Sequence, residues 1–310
     1  MAATMKAIMN ARENNQSSAT TRERRLAQLK PVVVGNLKKA FPNNKEVTDN
    51  LEAIFDLFAK KAPFVPDDKT RDLGSSFLNE ASRDVKSCNL LNSKKVYPHA
   101  VYHLQQAVEK SVKGYVLLEG YFNVTELREI ATHRSPLVMM KATLERTGIK
   151  GLAEISKDTT LKNKIEAAEA TMSSEEKRIE IAEISQKEIK GLCSQIEEYR
   201  KMGCLLESSF SDGLTGIGFG LTPTSLFQSV SAMVALLILA IITFPHEAYT
   251  RYPDPDGKMS PDNYEKKLGI VCEAPRMVRL LEKEIRNLQK LYERKAPNMN
   301  SLKRTTESKS

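Results

Sequence analysis

Tryptophan is absent from this 310-residue chain, aromatic residues make up only 6%, and glycine occupies just 14 positions. Long alternating β-branched runs are missing too, while Lys, Glu, Leu and Ala are plentiful, so strand-built architectures lose their usual sequence support. An all-β fold is excluded on that pattern. Cysteine is scarce: Cys88, Cys193, Cys204 and Cys272 lie far apart, with no C-x-x-C pair and no histidine at zinc-ligand spacing. Neither a metal knuckle nor a disulfide framework is indicated, and the four are expected to be reduced thiols in a cytoplasmic protein. The opening residues, among them Met1, Met5, Ile8 and Met9, hold no apolar run able to act as a signal segment, so export is not expected.

The hydrophobic fraction, 41%, suffices for a core, and the charge is unevenly spread around it. Residues 1–45 carry nine Lys/Arg against two Asp/Glu, residues 286–310 carry seven against two, and the rest of the chain balances to about −4 within the net +8. Two basic termini could neutralise phosphate. The plainer alternative is a pair of solvated tails.

Residues 1–25 are polar and basic, which predicts a flexible arm. Over 26–68 the spacing of Leu29, Val33, Leu37 and Phe41, then Leu51, Ile54, Phe55 and Phe58, predicts a helical hairpin broken at Pro42 and followed by a Pro-rich connector. A helix is expected from about Lys69 to Leu91. The clearest amphipathic helix runs from Tyr97 to Gly120, with Pro98 in its first turn and Leu104, Val108, Val112, Tyr115 and Leu118 on one face. Another should follow Pro136. Residues 156–205 are highly charged, with a capping box at Ser173 and Glu176 and a stripe through Ile181, Ile184, Leu192, Ile196 and Tyr199, and predict a long, coiled-coil-like hairpin projecting from the body. No charged side chain except histidine occurs from Gly213 to His246. Within that stretch, 226–244 reads either as a buried central helix or as a membrane span, and the shortness of its strictly apolar part favours the former. A last helix is expected from about Pro261 to Lys295, with 296–310 as a polar tail.

The string YPHAVYHLQQAVEKSVKGYVLLEG and the residues after it resemble the signature helix pair of the HEPN (higher eukaryotes and prokaryotes nucleotide-binding) domain family, with Thr132-His133 where the family has a glycine-histidine step. ITFPHEAYTRYPD, residues 242–254, resembles the junction before that family's last bundle helix. The resemblance implies an all-α, four- to five-helix bundle over 69–295, with 156–205 as an inserted charged hairpin and 26–68 as an extra helix pair. It also implies pairing with a second copy. Family activities span metal-independent RNA cleavage, nucleotide binding, toxin–antitoxin partnership with a nucleotidyltransferase, and non-catalytic scaffolding, so fold alone does not fix function.

The resemblance implies, for ribonuclease members, an arginine, four to six intervening residues, then a histidine. Here Arg251 stands at the matching junction with no histidine after it, and His246 precedes it by five positions. Arg128 and His133 have the spacing but lie after the first signature helix. Either pair is a candidate for phosphate stabilisation and general acid–base chemistry, against a simpler structural role. Gln106, Glu109, Lys110 and Lys113 share one side of their helix; Lys110 and Lys113 read either as phosphate contacts or as members of a polar strip that sets bundle register. Arg251 and Tyr252 are the preferred nucleotide or phosphate contacts. His99 and His103 stand four apart without a third ligand, so a surface pair is expected and neither a metal nor a cofactor is. Gly213, Gly216, Gly218 and Gly220 precede a helix start but match no phosphate-loop pattern. The leading reading is a nucleotide- or RNA-binding helical module without strong catalysis. A protein-interaction scaffold or toxin–antitoxin component stands second, and a metal-independent ribonuclease third.

Overall fold

Asp67 caps the first well-placed helix: its carboxylate accepts a hydrogen bond from the Thr70 amide at 2.7 Å, satisfying one of the orphan N–H groups of the opening turn. Hydrogen bonding from Thr70, its side chain first and then this amide, holds the Asp67 carboxyl below its ordinary range, more than any nearby cation does. The helix, α1, is Asp68–Ser93 in the computed structural model, which describes residues 31, 35, 66–131, 136–147, 163, 175–210, 223–252 and 259–295. The chain divides into two compact units, Met1–Phe64 with Lys141–Glu166 and Val65–Met140 with Ala167–Ser310. Nearly all described residues belong to the second. The basic arm, the N-terminal hairpin apart from Pro31 and Gly35, the Ser173 cap, the glycines of 213–220 and the tail lie outside the described residues.

The core side of α1 is Gly74, Leu78, Ala81, Val85 and Cys88, a stripe at three- and four-residue steps. Lys94, Lys95 and Val96 then turn the chain, with Lys95 in the left-handed region at φ 62°. Helix α2, Tyr97–Leu118, follows, and the hairpin it makes with α1 is the most extensive helix–helix contact among the described residues. The two approach closely because Gly74 and Gly114 meet: a Cβ on Gly114 would lie 2.8 Å from Leu78 Cδ2 and 3.0 Å from the Gly74 carbonyl oxygen. The last turn of α2 is buried on all sides, and Gly120, at φ 75°, ends it while the Tyr121 amide donates back to the Val116 carbonyl at 2.9 Å. Asn123 and Glu126 cap α3, Val124–Ala131, reciprocally at 2.9 Å each. Helix α4, Pro136–Thr147, buries Leu137, Met139 and Met140.

The charged stretch resolves differently from a projecting arm. Helices α5, Glu175–Ala182, and α6, Gln186–Phe210, contain nearly all of its described part, and α6 is a wall of the bundle, packed on two of the three helices that follow. Its apolar stripe explains this: Ile189, Leu192, Cys193 and Ile196 are all buried, and a stripe of that width needs a partner surface. Helix α7, Pro223–Thr243, is enclosed by α2, α6 and a final helix, and every residue from Ala232 to His246 is buried. Segment 226–244 is thus a central core helix, and among the described residues no helix is long and apolar enough to cross a membrane.

After α7 come a single turn, α8 (His246–Tyr249), a 3₁₀ turn at Pro261–Asn263, and α9, Gly269–Lys295. The last helix therefore starts later than Pro261. The Ser260 capping box stabilises only the short 3₁₀ turn, and α9 begins where Gly269 slots against the α5–α6 connection; a Cβ there would come within 2.4 Å of the Ile184 carbonyl oxygen. Helix α9 packs on α1, α2, α6 and α7. Polar links fix its register: Tyr292 donates to the Glu119 carboxylate, Gln289 donates to Asn79 at 3.0 Å, and the buried Glu284 pairs with Arg200 at 2.7 Å. All four cysteines are free, and burial pushes the Cys88 and Cys193 thiols up to about 12, which leaves both protonated and inert.

Candidate functional site

Helix α2 buries one side and leaves Tyr102, His103, Gln106, Glu109, Lys110 and Lys113 half-exposed on the other, residues brought onto one face by the helical repeat. Opposite them α1 presents Asp84, largely buried. Its carboxylate holds two α2 side chains two turns apart: Oδ1 meets His103 Nδ1 at 2.8 Å and Oδ2 meets Lys110 Nζ at 2.5 Å. One turn further along, Lys113 donates to Glu109 at 2.6 Å and lies 5.8 Å from the Phe77 ring centre. The Gln105 and Gln106 side-chain amides also donate to Glu109, at 3.3 and 3.4 Å.

The α7–α8 junction delivers a cation to the same face. Arg251 follows α8, and its guanidinium sits 5.3 Å from the Tyr102 ring centre and 5.7 Å from that of Tyr252, within cation–π range of both. The Tyr102 ring in turn meets His103 edge-on at 5.5 Å. A chain of contacts thus runs Arg251, Tyr102, His103, Asp84, Lys110. Arg251 and Tyr252 are exposed, and Tyr252, at 65% exposure, is one of the few large apolar-bodied side chains left to solvent. Such an arrangement offers a ring face for a planar base and a guanidinium for a phosphate.

His246 is placed quite differently. It is buried, shares a 2.7 Å hydrogen bond with the Tyr264 hydroxyl through Nδ1, and burial lowers its pKa to about 3, so it is neutral at physiological pH. The candidate pair of His246 and Arg251 is therefore split between core and surface by one helical turn. Arg128 is exposed on α3, whereas its candidate partner His133 lies outside the described residues. Lys110 and Lys113 both have their ammonium groups on carboxylates. His99 is exposed but His103 is not its surface twin, because Asp84 engages it. Among the described residues no group of three or more His, Cys, Asp or Glu side chains is arranged to hold a metal ion.

Two members of this face carried no recognisable signal in the chain. Asp84 is one acidic residue among many on α1, and its role depends on the inter-helix register that Gly74 and Gly114 set. Tyr102 could have been placed beside His103 from the helical repeat, but its pairing with Arg251, about 150 residues later, could not.

The fold and this charged, aromatic face define an all-α bundle with a polar hairpin at its centre of interest. Residues 75–132 match the family model of the HEPN domain, a segment covering α1 from its second turn, all of α2 and α3. Over that segment the chain is similar to the HEPN domain, and the match supports a nucleotide- or RNA-related helical module at the level of the family. The match begins upstream of Tyr97, so the matched hairpin starts with α1, and the 242–254 string lies outside it. Comparisons with curated proteins and with solved structures gave no match.

Proposed function

We propose that the bundle binds nucleotide or RNA through the Arg251–Tyr252 face without strong catalysis. The observation that carries this is the guanidinium within cation–π range of two tyrosine rings, one of them mostly exposed. Base stacking on an aromatic ring is sequence-tolerant and worth roughly 1–3 kcal/mol per base, and the adjacent arginine supplies the charge that a phosphate needs. Lys110 and Lys113 form the flank of the same surface, their ammonium groups balanced by Asp84 and Glu109. Limited catalysis fits the state of His246, whose enclosure and neutral form keep it from exchanging protons with a bound substrate.

The test is fluorescence anisotropy of labelled single-stranded RNA and of a labelled adenine nucleotide with the full chain in EDTA, with the RNA checked for cleavage on a gel. Binding should weaken with added salt and fall about tenfold or more in Arg251→Ala and in Tyr252→Ala, in line with losing one stacking or phosphate contact. RNA cleavage in EDTA would move the ribonuclease reading to first place, and no binding of either probe would favour the scaffold. The same reading proposes self-association into a homodimer, measured by sedimentation, and a nucleotidyltransferase partner, measured by co-purification.

A further inference from the structure

Helices α6 and α9 are cross-linked by two reciprocal ion pairs. Arg276 of α9 donates to Glu197 of α6 at 2.8 Å, and Arg200 of α6 meets Glu284 of α9 at 2.7 Å through Nε. The first pair dominates the acidity of Glu197, whose carboxyl it holds below the usual range. Beside these pairs lies a cleft of about 660 Å³ lined, among the described residues, by Glu197, Arg200, Lys201, Cys204 and Lys283. Lys201 and Lys283 come from opposite helices, and both act electrostatically on Glu197, which places them at the same opening. Neither has a carboxylate within ion-pair distance among the described residues. With both carboxylates ionised, Arg200, Lys201, Arg276 and Lys283 leave two positive charges in excess among the described residues of the cleft.

Converging cations repel one another, and the focused positive potential of a concave wall is relieved by an anion of matching charge. Arg200 is already oriented for one. Its Nε lies 2.7 Å from a carboxylate that is 1% exposed, an ion pair without hydrogen-bond geometry, and that attraction reduces the side-chain freedom left for a ligand at its outer amino groups to freeze. A tetrahedral dianion suits the site better than a carboxylate, because it carries the two charges in excess and offers several oxygens to a guanidinium and two ammonium groups at once.

We propose that the α6–α9 cleft binds a phosphoryl dianion, either inorganic phosphate or a small phosphate monoester, with Arg200 as the oriented contact and Lys201 and Lys283 as its counter-charges. The site shares no residue with the Arg251–Tyr252 face, so it stands or falls independently of the RNA reading.

Cys204 makes the test local, since it is exposed and part of the cleft lining, whereas Cys272 on α9 is not among the lining residues. The full chain is alkylated with iodoacetamide at pH 8, above the value of about 7 to which burial raises Glu284. Each site is followed by mass spectrometry, with inorganic phosphate or glycerol 3-phosphate added at constant ionic strength. Both probes should slow Cys204 saturably with half-protection in the millimolar range or tighter, leaving Cys272 unchanged. The double variant Lys201→Gln/Lys283→Gln, altered only at exposed side chains and checked for an unchanged melting midpoint, should raise the half-protecting concentration about tenfold or more. Equal potency of the two probes would assign recognition to the phosphoryl group alone, and preference for the ester would place an organic moiety in the cleft too. Protection that chloride reproduces, that fails to saturate, or that survives in the double variant would overturn the proposal.

Discussion

At Gly114 a missing side chain decides how α2 lies on α1. Alanine has the better helix propensity, by about 1 kcal/mol, yet its Cβ would press on the Gly74 carbonyl and the Leu78 side chain. A backbone oxygen cannot swing aside as a side chain can, so the larger Gly114→Val should cost roughly 2–3 kcal/mol in urea melts, with Gly114→Ala milder but still destabilising. His246 sets a pH dependence of opposite origin. Its folded pKa of about 3 lies below the unfolded value of 6.5, so the unfolded chain binds the extra proton first. Its contribution is whole above the unfolded value and is lost as pH falls toward 3. The wild type should therefore lose more stability between pH 7 and pH 4.5 than His246→Gln does, measured as the difference in urea midpoints. Equal losses would mean that His246 is hydrated and titrates normally in the folded protein.

Elements were legible in the sequence wherever one face or one stretch was chemically uniform. Helix α2 announced itself through Pro98, Gly120 and an unbroken apolar face, and α7 through the absence of any charged side chain from Gly213 up to His246. The stripe through Leu192 and Ile196 was equally readable, but which surface it packs against was not, because an amphipathic helix encodes the need for a partner and not the partner's identity. Hence α6 emerged as a bundle wall where a projecting arm was expected. Partners across long sequence distances were hidden for the same reason: Asp84 for His103, Tyr102 for Arg251 and Arg200 for Glu284 become visible only once helix registers are set. The start of α9 was hidden by a local decoy, since Ser260-Pro261 has a good helix-opening pattern that serves just one 3₁₀ turn. Gly269 marks the true start through contact and not through any sequence motif. Gly269→Ala should cost about 2 kcal/mol by prising the α5–α6 connection from α9, read as a lowered thermal midpoint with unchanged helical content below the transition.

For the whole molecule, the ties that close the bundle differ greatly in span. Arg276 and Glu197 are 79 positions apart, Tyr292 and Glu119 are 173, and Gln289 and Asn79 are 210. The α1–α2 hairpin, by contrast, closes over Lys94–Val96 alone. Loop-closure entropy favours the short connection, so the order in which these contacts form should follow their span. Stopped-flow refolding should place Gly114→Ala mainly on the folding rate and Tyr292→Phe mainly on the unfolding rate; the reverse would mean that α9 docks before the hairpin is complete. On a ribosome this order has a cost in time. The hairpin emerges from the tunnel nearly two hundred residues before the helix that seals it is complete, and meanwhile the walls of α1 and α2 that α9 covers stay open to water. A chain built this way depends, between its own synthesis and its closure, on whatever keeps newly made apolar helices apart in the cell.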